Sequence, residues 1–118
     1  MIKTQPIKID LTIKKYSKDI FEKVNEVKQY ITDNECQSLC VDLSSLNMID
    51  TTKICVLCST FHFSKYPNGR ITWYVKDEIT RNLIRRLKLS NTDVLVIMRK
   101  SKYIDFEQST KRFLKYHY

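Results

Sequence analysis

The sequence predicts a single α/β domain: a mixed, mostly parallel sheet of four to five strands with about four helices packed against it. Three observations carry this. Strand-like and helix-like segments alternate along the whole chain, in the order β-α-β-α-β-α-β-α. The inner strand-like segments are short and largely apolar, as in sheets covered by helices. Finally, the 118 residues are 42% hydrophobic with one glycine and two prolines. That is enough chain for one core, with no linker, repeat or low-complexity tract.

The first strand rests on Ile7, Ile9, Leu11 and Ile13 alternating with Lys8, Asp10, Thr12 and Lys14. A period of two marks a half-buried strand and suits an edge or antiparallel position. Ser17 is placed to cap a first helix with Asp19 in its first turn. Ile20, Val24, Val27 and Ile31 then recur at helical spacing, and Asp33-Asn34 ends the helix. The second strand, Leu39–Leu43, reads as buried. Its polar exit, Ser44-Ser45, leads through Leu46–Ile49 to Asp50, after which a second helix is expected over 52–65, opening near Thr51. That helix is expected to bury Ile54, Leu57, Cys58 and Phe61, and Pro67-Asn68-Gly69 stops it.

Ile71, Trp73 and Val75 alternate with Thr72 and Tyr74 as a third strand. Asp77 caps a third helix with Ile79, Leu83, Ile84 and Leu87 on one side and Arg81, Arg85, Arg86 and Lys88 on the other. Val94–Met98 forms a fourth strand. Asp105-x-x-Gln108 resembles a capping box before a last helix anchored by Phe106 and Phe113.

The function classes narrow from composition. No apolar run approaches bilayer length and the N-terminus lacks a signal-peptide core, so the expectation is a cytoplasmic protein without membrane insertion. There is no Gly-rich phosphate loop and no Ser/His/Asp motif, so no enzyme and no cofactor are expected. Cys55-x2-Cys58 with His62 has a superficial metal spacing, but their helix face is needed for the core. The four cysteines are expected to be reduced, with Cys55 and Cys58 as structural thiols, no metal, and His62 at a helix surface or boundary. The net charge of +8 lies almost wholly beyond residue 69. A basic patch of Arg81, Arg85, Arg86, Lys88, Arg99, Lys100 and Lys102 is therefore an alternative site, for nucleic acid, although no recognised nucleic-acid motif accompanies it.

Val41-Asp42-Leu43-Ser44, Ile49-Asp50-Thr51-Thr52 and Ile54-x-Val56-Leu57 resemble the core pattern of STAS domains, the anti-sigma-factor antagonists. The order of elements is similar over roughly residues 5–110. The resemblance implies a non-enzymatic signal-transduction domain that regulates transcription by partner switching. In the family, the hydroxyl residue after the Asp is phosphorylated by a serine/threonine kinase, which releases an anti-sigma factor. The matching residue is Thr51, with Thr52 beside it, and the implied partner surface is Ser44, Ser45, Asp50, Thr51, Thr52 and Lys53. Lys53 stands where the family has glycine. Some family members attach instead to membrane transporters, and such an accessory subunit would dock through the same surface. Read from the residues alone, the helix N-terminus near Thr51 would favour a phosphate, while either threonine or Asp50 would equally serve as the helix cap.

Overall fold

The computed structural model describes residues 8–15 and 18–97. Four strands and three helices alternate: β1 (Leu11–Thr12), α1 (Ile20–Asn34), β2 (Ser38–Asp42), α2 (Met48–Lys65), β3 (Arg70–Val75), α3 (Glu78–Arg85) and β4 (Thr92–Val96). The strands lie side by side in chain order, and all three pairings are parallel. The expected mixed character is absent from the described sheet. The expected fourth helix, with Asp105, Phe106, Gln108 and Phe113, lies outside the described residues.

Each crossover advances one strand in the same direction, so right-handed connections lay all three helices on one face. α1 packs on α2 and α2 on α3. Leu11, Val41, Trp73 and Val94 stand in one row across the sheet; the last three are buried and Leu11 packs against them. The alternate residues Cys40, Thr72 and Tyr74 are only half-buried.

β1 is shorter than its alternation predicts for a local reason. The Asp10 N–H still donates to the Cys40 carbonyl (2.8 Å), but the Cys40 N–H is taken by the Asp10 carboxylate (2.8 Å) instead of by a backbone acceptor. A side chain has replaced a rung of the ladder, and regular pairing begins at Leu11.

α1 is capped by Asp19, not by the predicted Ser17, which is outside the described residues; the Asp19 carboxylate accepts the Glu22 N–H at 2.9 Å. Val24, Val27 and Ile31 are buried as expected. The helix ends in Glu35, a non-glycine residue at φ 49°.

α2 opens earlier than predicted, at Met48, because Asn47 is its cap: the Asn47 side chain accepts the Asp50 N–H at 2.8 Å. Buried Leu43 and Leu46, joined by a 3.0 Å backbone bond, pin the Ser44-Ser45 turn that leads into it. At its other end, α2 stops before Pro67 as expected. Gly69 serves a different purpose from a left-handed helix stop, since no glycine has positive φ. A Cβ at Gly69 would collide with the Gln37 carbonyl oxygen and press on His62 and Tyr66. Glycine is required there by close backbone approach.

α3 is capped by Asp77 as predicted, with the Thr80 N–H donating to its carboxylate at 2.9 Å. That bond holds the Asp77 carboxyl below its ordinary value. Only Thr80 and Ile84 of this eight-residue helix are buried. Ile79, Leu83 and Leu87, expected on its core side, are exposed. One i, i+4 stripe is enough to cover the β3–β4 edge, and the neighbouring stripe turns outward. β4 runs two residues earlier than the predicted 94–98; Val94 is buried and Leu95 points out.

Candidate functional site: an apolar groove between three helices

α2 has two apolar sides. Its core stripe is Thr51, Ile54, Cys55, Cys58, Ser59 and His62, spaced by alternating steps of three and one. Five of those six are small or polar, and the sheet presents a bulky residue beneath them. Trp73 is fully buried, and its indole N–H donates to the Ser59 hydroxyl at 2.8 Å. The small side chain of Ser59 leaves room for the ring, and its hydroxyl satisfies the ring's only donor.

His62 is 1% exposed, not a surface or boundary residue. Its Nε2 lies 2.8 Å from the Cys36 carbonyl oxygen. A carbonyl can only accept, so that nitrogen carries the proton.

Burial pushes the Cys58 thiol up to about 12 and raises Cys55 well above the ordinary thiol value. Cys58 Sγ faces the Val24 carbonyl at 3.7 Å. Cys36 and Cys40 are raised too, by burial first and then by Asp10. All four thiols are free and protonated at neutral pH, which makes them poor nucleophiles. Among the described residues, no three His, Cys, Asp or Glu side chains gather as a metal-ligand set.

The outer side of α2 carries Met48, Ile49, Val56 and Leu57. Leu57, expected in the core, is 45% exposed, and Ile49 is 65% exposed. Facing them from α1 are Ile20, Val24 and Phe21, the last 71% exposed; from α3 comes Leu83. Together these walls enclose a groove of about 680 Å³ that is open to solvent. Met48 and Leu83 also line an adjoining depression of about 380 Å³ with Ile79, Asn82 and Arg86. The two meet at Met48 and Leu83 and together make a mainly apolar channel over the helical face.

The residues implied by the family resemblance divide around this channel. Thr52 and Lys53 line the groove. Thr51 does not face solvent: it is 1% exposed, and its N–H already donates to the Asn47 carbonyl at 2.9 Å. The helix opens three residues before it, so neither threonine offers a free N–H to a phosphate. The Thr52 hydroxyl donates to the Met48 carbonyl at 2.8 Å.

Asp50 forms an ion pair with Lys23 across the α1–α2 contact, Nζ to Oδ2 at 3.7 Å, with the Lys23 side chain only 7% exposed. It is neither the cap nor a freely presented carboxylate. Asp42 orients the turn, its carboxylate accepting the Ser44 N–H at 2.8 Å. Ser44 is half-buried and Ser45 exposed in that turn, and neither lines the groove.

Of the basic set, Arg81 bonds to Glu78 at 3.1 Å. Arg85, Arg86 and Lys88 are exposed around the end of α3, and only Arg86 reaches the channel. Arg99, Lys100 and Lys102 lie outside the described residues.

Phe21 is the groove residue that sequence reasoning missed. The signal was present: it sits one position beside the Ile20–Val24–Val27–Ile31 stripe and so is rotated roughly 100° from it.

No helix among the described residues is long and apolar enough to cross a membrane. Comparison with known proteins gives no matching family model, no matching curated protein and no matching solved structure, so the functional reading rests on the groove itself.

Proposed function

We propose that this chain is a non-enzymatic docking domain of STAS-like type, which binds a protein partner in the groove between α1, α2 and α3. One observation carries the reading: three separate helices each send a large apolar side chain, Phe21, Leu57 and Leu83, into one solvent-open channel. Folding does not require this, because each helix has a separate buried stripe. An apolar patch shared by several elements marks an interaction surface. The parallel β-α order and the 41–57 sequence pattern support the family part of the reading.

On this reading the switch residue is Thr52 and not Thr51. Phosphorylation of Thr51 would force a charge into the core, whereas Thr52 stands on the groove wall beside Lys53. A phosphate there adds about −1.5 to −2 charges to an apolar binding surface and opposes docking.

The test is a photo-crosslinking amino acid placed in cells at position 57, with position 95, exposed away from the groove, as control. The expected result is a discrete protein adduct from 57 and none from 95, lost on Thr52→Glu in a folded protein. Thr51→Glu is expected to lower Tm instead. Equal labelling from both positions, or none from 57, would remove the docking reading.

A further inference from the structure

We infer that the occupant of the groove is an acidic amphipathic helix of a different protein, an inference that rests on the docking reading above. The first argument is charge. Lys53 and Arg86 are the charged side chains lining the channel, one on α2 and one on α3. Neither has an ion-pair partner among the described residues. The nearby carboxylates are engaged within the fold, Asp50 with Lys23 and Glu78 with Arg81. The channel therefore presents apolar walls with two uncompensated cations, which complements an apolar stripe flanked by Asp or Glu.

The second argument is spacing. Lys53 lies one helical turn from both Ile49 and Leu57, and Arg86 lies one turn beyond Leu83 and two beyond Ile79. The α2 row, 49–53–57, steps by four and the α3 row, 79–83–86, by four and then three, each with a cation in it, the arrangement that receives a helix reading out at i, i+3, i+4 and i+7. From Met48 to Leu57 the α2 wall runs roughly 14 Å at 1.5 Å per residue. That accommodates about two and a half turns of a docked helix.

The other occupants fit less well. A second copy would bring the same Lys53 and Arg86 against their equivalents, in a chain already at +8. Residues 98–118 of this chain carry Arg99, Lys100, Lys102, Lys111, Arg112 and Lys115 against Asp105 and Glu107, so they share the sign of the groove. A bilayer would meet cations and apolar side chains, but in a concave channel, where a flat surface loses most of its contact.

The experiment uses full-length protein and a displayed library of 18-residue helices, with apolar residues fixed at i, i+3, i+4 and i+7 and the flanks randomised. Wild type is expected to enrich Asp and Glu in the flanks. The enriched peptide is expected to bind about tenfold more weakly to Lys53→Glu/Arg86→Glu and to weaken with salt. The charge-reversed protein is expected to select Lys and Arg.

Enrichment of neutral or basic helices by wild type would overturn the acidic partner and leave the docking groove standing. No enrichment over a folded Leu57→Asp control would overturn both. A position-57 crosslink joining the chain to residues 98–118 or to a second copy would overturn the foreign partner. Cosedimentation with vesicles of phosphatidylcholine and phosphatidylglycerol, abolished by Leu57→Asp, would replace it with a membrane.

Discussion

The two sides of α2 invert the usual expectation for a helix. The buried side holds a threonine, a serine, a histidine and two cysteines around one isoleucine; the solvent side holds Met48, Ile49 and Leu57. The buried polar groups include two directly paired contacts, Ser59 with the Trp73 indole and His62 with the Cys36 carbonyl. The exposed apolar groups instead converge on a groove. Fit and hydrogen-bond satisfaction decided what went inside, so hydrophobicity alone did not. Exposed apolar residues gathered into one patch, on a helix that packs by its other face, are the observation from which the docking function is proposed.

The largest predicted contrast lies between neighbouring turns. Ile54→Ala on the inner side removes fully buried volume and should cost about 2–5 kcal/mol in urea unfolding. Leu57→Ala on the outer side should change stability by no more than about 0.5 kcal/mol while weakening partner capture. Equal losses at both positions would mean that the groove is core and the distinction is false.

Gly69 extends the inner side, since an added methyl would meet Gln37, His62 and Tyr66. Gly69→Ala should destabilise by about 1–3 kcal/mol, read from the shift in urea midpoint. A neutral result would show that the end of α2 can yield.

The Lys23–Asp50 pair sits on the boundary between the two sides. Asp50→Asn leaves a buried ammonium without its counterion and should cost about 1–3 kcal/mol, moderated because the Asp50 side chain is 26% exposed. Lys23→Met in the Asp50→Asn background should recover most of it. Failure of that rescue in thermal melts would mean that Asp50 acts on α2 through its helix position and not through Lys23.

The smallest effect lies on the sheet, where β3 meets β4. The bidentate Arg70 guanidinium, with both bonds at 2.7 Å, holds the Asp93 carboxyl below its ordinary 3.8. A lowered folded value means that the stability it contributes is complete above the ordinary value. It is lost as pH falls through the lowered one. The Tm difference between wild type and Asp93→Asn should therefore be small at about pH 6 and shrink further by about pH 3. A difference that grows on acidification would reverse the sign of the argument.

Local patterns were legible wherever a residue's own neighbours decide its state. The alternation of Ile71, Trp73 and Val75, the 24–27–31 stripe of α1 and the Asp77 cap were all readable, because each depends on strand or helix periodicity or on one side chain reaching three residues ahead. The start of α2 was misread because Asp50, Thr51 and Thr52 all have cap chemistry and Asn47, the residue that caps it, was not among those considered. Asn47 is joined to a turn anchored by Leu43 and Leu46, and only the burial of those leucines selects it over Asp50 or a threonine. That three-residue difference turned Thr51 from a helix-opening hydroxyl into a buried one.

The linear pattern specified an α/β domain with a mostly parallel sheet, the inner strands and the approximate stripes of each helix. Those are properties of period and propensity along one chain. Which of two apolar stripes on α2 or α3 would be buried was decided only by the tertiary structure. A stripe is covered or left open according to what stands opposite it. Trp73 of β3 and Val24 of α1 are far from α2 in sequence and meet it only in the folded sheet.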